Sequence, residues 1–315
     1  MKTIDSLREG DRINEIYLCR SKVQALTKAG KAYESLTLQD KTGSVDGKIW
    51  DPGSQGIGDY EALDYINVVA DVTSFQGQLQ LNIKRVRKCR EGEYDPAEYV
   101  PSTEGDVEAM YAEILGIIDT VKNTYLNQLL KSFFSIEEFK KMFCFHSAAK
   151  SVHHGFAGGL LEHTLSVTKN CVFFAKQYDV LNHDLIVTAA LFHDVGKLKE
   201  LSTFPENDYT EAGQLVGHIV LGAQMVTDGI RKIPEFPPLL EKELVHCILA
   251  HHGELEYGSP KKPELAEAVA LAFADNLDAK METLKELFHA PGVQGGWLGF
   301  NSLMGTYIRK TEVEE

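Results

Sequence analysis

The chain has 315 residues, of which 43% are hydrophobic and 25% charged, and its net charge is −14. This composition is typical of a globular protein and excludes a disordered or fibrous chain. No apolar run approaches the roughly 18 residues of a membrane span, and the first residues lack the apolar core of a secretion signal. The five cysteines are scattered, with no Cys-x-x-Cys pair. We therefore expect reduced thiols, a cytoplasmic location and no membrane partner.

The negative charge is not spread evenly along the chain. Residues 1–90 carry 14 Lys and Arg against 12 Asp and Glu, whereas residues 91–315 carry 18 against 34. A strongly negative protein is a poor partner for nucleic acid, because phosphates bind basic surfaces. Residues 1–90 carry a slight excess of positive charge, so this part of the chain can bind nucleic acid. That part ends in a basic cluster formed by Lys84, Arg85, Arg87, Lys88 and Arg90.

Residues 12–90 alternate polar and apolar side chains, which is typical of β-strands with one buried face. The pattern is clearest in 33–39 and 78–83. Residues 51–63 form a Gly-rich interruption with room for one short helix. Five strands with one interruption before the fourth predict a small barrel. The order resembles a five-stranded OB-fold β-barrel over residues 1–90, a scaffold that often binds single-stranded nucleic acid.

Two aromatic residues of the predicted barrel are candidates for stacking on bases. Tyr33 lies on the strand face opposite Leu36 and Leu38, and Trp50 lies close to Lys48. Aromatic rings exposed on such a face stack on unpaired bases, although core or ordinary surface is the commoner role on small barrels. The predicted RNA contacts in this domain are Tyr33, Trp50, Lys84, Arg85 and Arg87. A solvated strand end is the alternative for the three basic residues.

Residues 91–105 contain two prolines and several acidic residues, and predict a linker. After the linker the hydrophobic period changes from two to about 3.6, as on amphipathic helices. Helical patterns follow over 107–121, 124–134, 136–145, 160–178, 183–194, 212–231, 239–250 and 264–289. We assign residues 106–290 to an all-α helical bundle and residues 291–315 to a tail rich in Gly and aromatic side chains.

All eleven histidines of the chain lie in the predicted helical part. The most informative pair is His193-Asp194, at the end of a predicted helix. Further imidazole and carboxylate groups lie on, or at the end of, other predicted helices: His163, His218, His251 and Asp275. These ligand types suit divalent ions such as Mn²⁺, Fe²⁺, Co²⁺, Ni²⁺ or Zn²⁺. Two such ions bridged by one carboxylate can clamp the oxygens of a phosphate. The pattern therefore indicates a metal site in the bundle core.

The order of these residues resembles the HD superfamily of metal-dependent phosphohydrolases. The local sequences also resemble the bacterial YhaM-type 3′→5′ exoribonucleases, a family that places an OB-fold domain before its HD domain. The matching segments are Gly158–Thr164, Phe192–Lys197, Gly217-His218, His251–Gly253 and Ala274–Lys280. The resemblance covers nearly the whole chain, except the tail after about residue 290.

The resemblance implies two metal ions that share Asp194. The ligands of the first ion would be His163, His193, Asp194 and Asp275. The ligands of the second ion would be Asp194, His218 and His251. Some HD phosphodiesterases hold a third ion with a glutamate where this chain has Gly159, so we expect two ions at most. Mn²⁺ is the expected ion, with Co²⁺, Fe²⁺, Ni²⁺ or Zn²⁺ as alternatives.

Residues around the expected metal ligands have further expected roles. Lys197 would lie beside the phosphate and stabilise the negative charge of the transition state. Neighbouring residues on a helix point about 100° apart, so usually only one of His251 and His252 reaches a given ion. We therefore expect His252 to contact the substrate or the metal-ligating side chains. Lys150, His153 and His154 precede the first ligand and would contact phosphates, with a solvated loop as the alternative.

The leading hypothesis is a metal-dependent 3′→5′ exoribonuclease acting on single-stranded RNA, with single-stranded DNA as a second substrate to test. A metal-bound hydroxide would attack the terminal phosphodiester and release nucleoside 5′-monophosphates. The direction of digestion follows from the resemblance alone, as does the expectation of a homo-oligomer. One alternative is an HD phosphodiesterase acting on small or cyclic nucleotides. Another is a non-enzymatic regulator that binds single-stranded nucleic acid.

Overall fold

A computed structural model describes residues 2–27, 30–150, 155–289 and 296–311. The chain divides into two compact units. The first unit comprises Met1–Ser102 and the short segment Thr203–Asn207. The second unit comprises Thr103–Ser202 and Asp208–Glu315. Within the described residues, no helix combines the length and the apolar character needed to cross a membrane.

The first unit contains a closed barrel of five strands. They are β1 (Arg12–Leu26), β2 (Ala32–Asp40), β3 (Gly43–Ile49), β4 (Tyr65–Phe75) and β5 (Gln78–Lys88). The strands pair in the order β1-β2-β3-β5-β4, and β4 pairs with β1 to close the barrel. Every pairing is antiparallel except that of β3 with β5. The chain therefore has the OB-fold barrel that its sequence predicts.

The alternation along β2 builds the barrel core. Leu36 and Leu38 are almost fully buried, while the side chains between them remain partly exposed. Glu34 is a buried carboxylate on the inner face. Tyr60 donates a hydrogen bond of 2.6 Å to Glu34 Oε2, and Lys22 Nζ lies 3.6 Å from Glu34 Oε1. These partners offset the cost of removing the charge from water.

Two segments of this unit differ from the sequence predictions. Residues 51–63 form turns, without the short helix for which the sequence left room. The predicted linker 91–105 is not free chain, since the barrel unit extends to Ser102. Tyr94 stacks on Tyr65 of β4, with ring centroids 3.9 Å apart. Burial of aromatic surface holds this segment against the barrel.

The described part of the second unit contains ten α-helices. They are α1 (Val107–Ile118), α2 (Thr124–Phe134), α3 (Glu137–Phe145), α4 (Gly159–Gln177), α5 (His183–Phe192), α6 (Lys197–Glu200), α7 (Glu211–Val216), α8 (His218–Ile230), α9 (Pro238–Leu249) and α10 (Ala266–His289). Asp106, Asn123 and Asn182 cap the first turns of α1, α2 and α5 with side-chain hydrogen bonds. The apolar faces of the helices form one core, in which Phe143 and Phe192 are fully buried.

One predicted helix, 212–231, is divided in the structure. Gly217 separates α7 from α8 and has a φ of +78°, a conformation that favours glycine. The break makes His218 the first residue of α8. Glu200 Oε1 accepts hydrogen bonds from the backbone N–H and the ring Nδ1 of His218, each at 2.9 Å. The break thereby fixes the position of a predicted metal ligand.

The tail contains a hairpin that the sequence left unassigned. Its strands are β6 (Trp297–Asn301) and β7 (Thr306–Arg309), which pair antiparallel. The rings of Phe300 and Tyr307 meet edge to face across the hairpin, with centroids 5.4 Å apart. Cross-strand aromatic pairs of this kind stabilise short hairpins.

Candidate metal centre

Six imidazole and carboxylate side chains from different helices meet in the second unit. We call them the His-Asp cluster: His163, His193, Asp194, His218, His251 and Asp275. One lies on α4, two directly follow α5, one begins α8, one follows α9 and one lies on α10. Four of the six are nearly or fully buried, and the side chains of His218 and Asp275 are 13% and 16% exposed. Helix packing therefore collects these groups from distant parts of the chain.

The two carboxylate oxygens of Asp194 face different histidines. Oδ2 lies 3.2 Å from His163 Nε2 and 3.5 Å from His193 Nε2. Oδ1 lies 3.5 Å from His218 Nε2 and 3.7 Å from His251 Nε2. Asp194 thus stands between two groups of ligand atoms, the geometry in which one carboxylate can bridge two cations.

The group on the Oδ2 side contains His163, His193 and Asp275. One ligand atom of each lies within 4.8 Å of the others. Asp275 Oδ1 is 3.2 Å from His163 Nε2 and 4.0 Å from His193 Nε2. The two ring nitrogens face each other at 3.1 Å. Two imidazoles and two carboxylates that converge in this way suit a borderline divalent cation.

The group on the Oδ1 side leaves three buried atoms without a hydrogen-bond partner among the described residues. They are Asp194 Oδ1, His218 Nε2 and His251 Nε2. Buried polar atoms are nearly always paired, because an unpaired one costs about 1–3 kcal/mol. A cation among these three atoms would satisfy all of them at once. The residues present therefore fit a divalent metal ion.

Carboxylates orient two of the histidines through their second ring nitrogen. His163 Nδ1 lies 2.7 Å from Asp278 Oδ2, and His218 Nδ1 lies 2.9 Å from Glu200 Oε1. Such outer partners fix the ring orientation and increase the basicity of a metal ligand. The sequence reasoning missed both carboxylates. Asp278 had a signal, since it lies three residues after Asp275 and so on the same face of α10.

Backbone carbonyls orient the two remaining histidines. His193 Nδ1 lies 2.7 Å from the carbonyl oxygen of Ala190, and His251 Nδ1 lies 2.7 Å from that of Ile248. A carbonyl only accepts, so Nδ1 carries the proton and Nε2 keeps its lone pair. Burial lowers the pKa of both imidazoles, that of His251 strongly. Both rings are therefore neutral, as metal ligands must be.

The charged groups of the cluster shift one another's pKa values. Burial acts to raise the pKa of Asp194, but Lys197 and His193 outweigh it and hold that pKa well below its ordinary range. Lys197 Nζ lies 2.6 Å from Asp194 Oδ2, and the carboxylate raises the pKa of this buried ammonium despite its burial. The pKa of Asp275 is lowered too, chiefly by His163 against the effect of burial. Both aspartates are therefore ionised at neutral pH.

Gly196 lets helix α8 approach the segment that carries His193 and Asp194. A Cβ atom at Gly196 would lie 2.0 Å from the carbonyl oxygen of His218 and 2.5 Å from the backbone nitrogen of Gly222. Any side chain at this position would push α8 away. The glycine in this segment is therefore required by packing, and it sets the distance between Asp194 and His218.

Comparison with known proteins places this arrangement in a family. The sequence profile of the HD domain matches residues 160–280. The 3′-5′ exoribonuclease YhaM of Geobacillus sp. (strain WCH70) is 31% identical over 279 residues, which cover 87% of this chain and 84% of that protein. The YhaM proteins of Bacillus velezensis and Bacillus subtilis are each 32% identical to this chain. The match with the first covers 86% of this chain and 86% of that protein, and the match with the second covers 87% of each. The chain belongs to the YhaM 3′-5′ exoribonuclease family.

Comparison with solved structures also found matches to this YhaM family member, one of which is an OB-fold domain. The second OB-fold domain of replication protein A from Methanococcus maripaludis matches 30% of this chain and 97% of its own length. Its sequence identity is 19% and the TM-score is 0.23. The OB-fold assignment above rests on the strand order and closure of the barrel itself.

His252 stands beside the cluster in this YhaM family member. The helical argument that separated His251 from His252 does not apply, because α9 ends at Leu249 and both residues follow it. Their ring centroids are 4.4 Å apart, and those of His218 and His252 are 5.2 Å apart. One nitrogen of each of these three rings lies within 4.8 Å of the others. His252 is partly exposed, however, and lines an adjoining cavity.

Of the three residues before the first ligand that are expected to contact phosphates, the structure describes Lys150. Lys150 is exposed, and its Nζ lies 2.6 Å from Asp208 Oδ1, so a carboxylate already balances its charge. His153 and His154 lie outside the described residues. The expected phosphate contacts in this stretch therefore remain predictions.

The aromatic candidates of the barrel lie next to each other. Tyr33 and Trp50 are stacked, with ring centroids 5.1 Å apart and planes 29° apart. Trp50 is 45% exposed and lies directly after β3. Lys48 Nζ donates a hydrogen bond of 2.5 Å to Ser35 Oγ on the neighbouring strand. This outer surface of β2 and β3 combines aromatic, hydroxyl and ammonium groups, which suit a single strand of nucleic acid.

The basic residues of β5 are all exposed, but they differ in their partners. A β-bulge leaves Lys84 without a cross-strand partner, so Lys84 and Arg85 both face solvent. Neither forms an ion pair with a described residue. Arg87, in contrast, lies 2.7 Å from Glu93 Oε2, and Lys88 pairs with Asp64 at 2.6 Å. Lys84 and Arg85 are therefore the stronger candidates for phosphate contact.

Replacing Asp278 by asparagine should weaken Mn²⁺ binding on the Oδ2 side of Asp194. The change removes the charge that orients His163, and loss of such an outer partner costs about 10- to 100-fold in metal affinity. Calorimetric titration of the metal-free protein with Mn²⁺ measures the effect. Asp179→Asn, at an exposed position beyond α4, is the matched control. Equal affinities for the Asp278 variant and the unmodified chain would contradict the assignment.

Proposed function

We propose that this chain is a metal-dependent 3′→5′ exoribonuclease that shortens single-stranded RNA and releases nucleoside 5′-monophosphates. One observation carries the proposal: the two oxygens of Asp194 face two separate groups of imidazole nitrogens, and the Oδ1 side holds three buried atoms without partners among the described residues. Membership of the YhaM family supports the substrate and the direction of digestion. The proposal also covers single-stranded DNA as a second substrate.

The His-Asp cluster would hold two divalent cations. His163, His193, Asp194 and Asp275 would hold the first. Asp194, His218 and His251 would hold the second. When bound, such a pair of ions lowers the pKa of water and neutralises the oxygens of a phosphodiester. We propose Mn²⁺ as the ion, with Co²⁺, Fe²⁺, Ni²⁺ or Zn²⁺ as alternatives, because the donor set contains imidazole and carboxylate but no thiolate.

The chain's own charged residues would act on the phosphodiester. The Lys197 ammonium is held in place by Asp194, 2.6 Å away, and its position beside the cluster lets it balance negative charge that grows on the phosphate oxygens. His252 is partly exposed at the edge of the cluster, where it can reach a bound phosphate. Both groups are preorganised by hydrogen bonds to the protein, so they need little rearrangement on binding.

The barrel would bind the RNA strand. Tyr33 and Trp50 offer stacking surfaces. Lys84 and Arg85, which form no ion pair with a described residue, offer positive charge for the RNA backbone. These residues belong to the part of the chain that carries slightly more basic than acidic residues. We therefore expect the acidic second unit to engage RNA mainly at the His-Asp cluster.

Trp50→Ala should weaken binding of a single-stranded RNA by about 5- to 150-fold, because a stacked base contributes roughly 1–3 kcal/mol. Fluorescence anisotropy with a labelled oligonucleotide, without divalent metal, measures the effect. Phe173→Ala removes an exposed ring from α4 and serves as the control. Binding by the Trp50 variant at the strength of the unmodified chain would remove the barrel surface from the proposal.

A cleavage assay tests the proposed activity. The purified chain with Mn²⁺ receives a 5′-labelled single-stranded RNA and, separately, cyclic dinucleotides. We expect a ladder of products that shortens from the 3′ end, with nucleoside 5′-monophosphates released. Turnover of cyclic dinucleotides alone would favour a small-nucleotide phosphodiesterase. Binding of RNA without turnover, at a site shown by elemental analysis to lack metal, would favour a regulator.

We also propose a cytoplasmic location and a homo-oligomeric state. All five cysteines are free, and four of them are buried, which suits a reducing compartment. The oligomeric state follows from the family resemblance. Light scattering on the purified chain measures it directly, and a monomeric mass would contradict this part of the proposal.

A further inference from the structure

A cavity of about 480 Å³ adjoins the His-Asp cluster within the second unit. One wall is the loop that follows α9, and the other is one face of α10. Its lining includes His252, Gly253, Tyr257, Phe273, Asn276 and Lys280. Pockets for small organic ligands have volumes of about 300–1,000 Å³, so this one can accept a nucleotide.

Two aromatic rings of the cavity are open to a ligand. Tyr257 is 62% exposed and Phe273 is 70% exposed, and both rings line the cavity. Phe273 also borders a second, apolar groove of about 440 Å³. Exposed rings beside a polar site provide stacking surfaces, and every nucleobase has a face that can use them.

The face of α10 adds a positive charge and an amide. Asn276 and Lys280 are four residues apart on α10, so they share one side of the helix. Lys280 is half-buried and forms no ion pair with a described residue. Lys262, on the opposite wall, is already paired with Glu254 at 2.7 Å. Lys280 is therefore the cation of the cavity whose charge is available to a phosphate.

The cavity is formed in advance and lies next to the expected metal ligands. Gly253 has a φ of +80°, and a Cβ atom there would lie 3.3 Å from that of Ala272 on α10, so the two walls meet closely at this point. His252 Nδ1 lies 2.8 Å from the carbonyl oxygen of Tyr257, which ties the imidazole to the loop. The His252 and His218 rings are 5.2 Å apart. A ligand phosphate near His252 would thus be adjacent to the cluster.

We propose that this cavity binds the 3′-terminal nucleotide of the RNA strand and, after cleavage, the nucleoside 5′-monophosphate product. Its base stacks on Phe273 and Tyr257, Asn276 offers hydrogen bonds to its polar edge, and Lys280 and His252 contact its 5′-phosphate. This inference rests on the proposed function, since it names where that substrate's last nucleotide lies. It gives a role to Lys280, which a helical pattern alone would leave as a solvated side chain.

Binding of adenosine 5′-monophosphate tests the inference. The probe is titrated calorimetrically into the chain, with both units present, after it has been loaded with Mn²⁺. We expect Phe273→Ala to weaken binding by about 5- to 150-fold and Lys280→Gln by about tenfold. Both variants should raise the KM for RNA, and their Mn²⁺ content should stay unchanged. Leu277→Ala, an exposed position on α10 outside the cavity lining, and Lys232→Gln, an exposed position after α8, are the controls.

The outcomes separate this inference from the function on which it rests. Unchanged affinity for adenosine 5′-monophosphate in both cavity variants, in a chain that digests RNA, would overturn the inference and leave the proposed function intact. If the unmodified chain digested no RNA, the proposed function would fail. In that case, loss of nucleotide binding in the cavity variants but not in the controls would still assign the cavity to a nucleoside monophosphate.

Discussion

Asp194→Asn should reduce RNA turnover by about 10³-fold or more while leaving the fold and RNA binding intact. Asparagine keeps the shape of the side chain but loses the charge that both groups of ligand atoms share. A bound cation contributes several kcal/mol to transition-state stabilisation, and each 1.36 kcal/mol is a factor of ten in rate. Single-turnover cleavage of a 5′-labelled RNA measures the loss.

The controls for this prediction separate chemistry from folding. Asp228→Asn removes an exposed carboxylate of α8 that pairs only with Arg231 among the described residues, so it should retain full turnover. Fluorescence anisotropy should show unchanged RNA affinity for the Asp194 variant, since the proposed strand-binding surface lies on the barrel. Turnover by the Asp194 variant at a tenth of the normal rate or faster would mean that the chemistry takes place elsewhere.

Gly196→Ala should both destabilise the second unit and impair catalysis. The new methyl group would lie 2.0 Å from the His218 carbonyl oxygen, so α8 must move away from the segment that carries Asp194. Overpacking of this kind typically costs about 1–3 kcal/mol of the free energy of unfolding. A displacement of about 1 Å in a catalytic constellation can cost on the order of 10²-fold in rate. Chemical denaturation and single-turnover cleavage measure the two effects.

Gly116→Ala is the matched control for this substitution. Gly116 lies in α1, and a Cβ atom there would meet nothing within 4 Å. Alanine is the better helix former by about 0.5–1 kcal/mol, so this variant should be slightly more stable and fully active. Full activity and full stability in Gly196→Ala would show that α8 can shift without disturbing the cluster, which contradicts the packing role given to Gly196.

Local patterns predicted the elements of this protein well because they depend on neighbouring residues. The alternation in β2 places Leu36 and Leu38 in the barrel core, as expected. The helical period placed most helices within a few residues of their observed bounds. It did not reveal the break at Gly217, since a single glycine is tolerated within a helical pattern and only the backbone angle shows the interruption.

The candidate metal site was predicted only in part from the sequence. The order of histidines and aspartates identified the side chains that the structure brings together around Asp194. The carboxylates of Asp278 and Glu200 were missed, because their role depends on contacts between helices that a linear pattern does not show. The helical argument that separated His251 from His252 does not hold, since α9 ends at Leu249, before both residues.

Anomalous diffraction from crystals grown with Mn²⁺ tests most directly whether the Asp194 carboxylate binds two cations. The structure leads us to expect two peaks, one beside His163, His193 and Asp275 and one beside His218 and His251. Both peaks should contact Asp194, one through each carboxylate oxygen. A single peak, or two peaks of which one does not touch Asp194, would contradict the account.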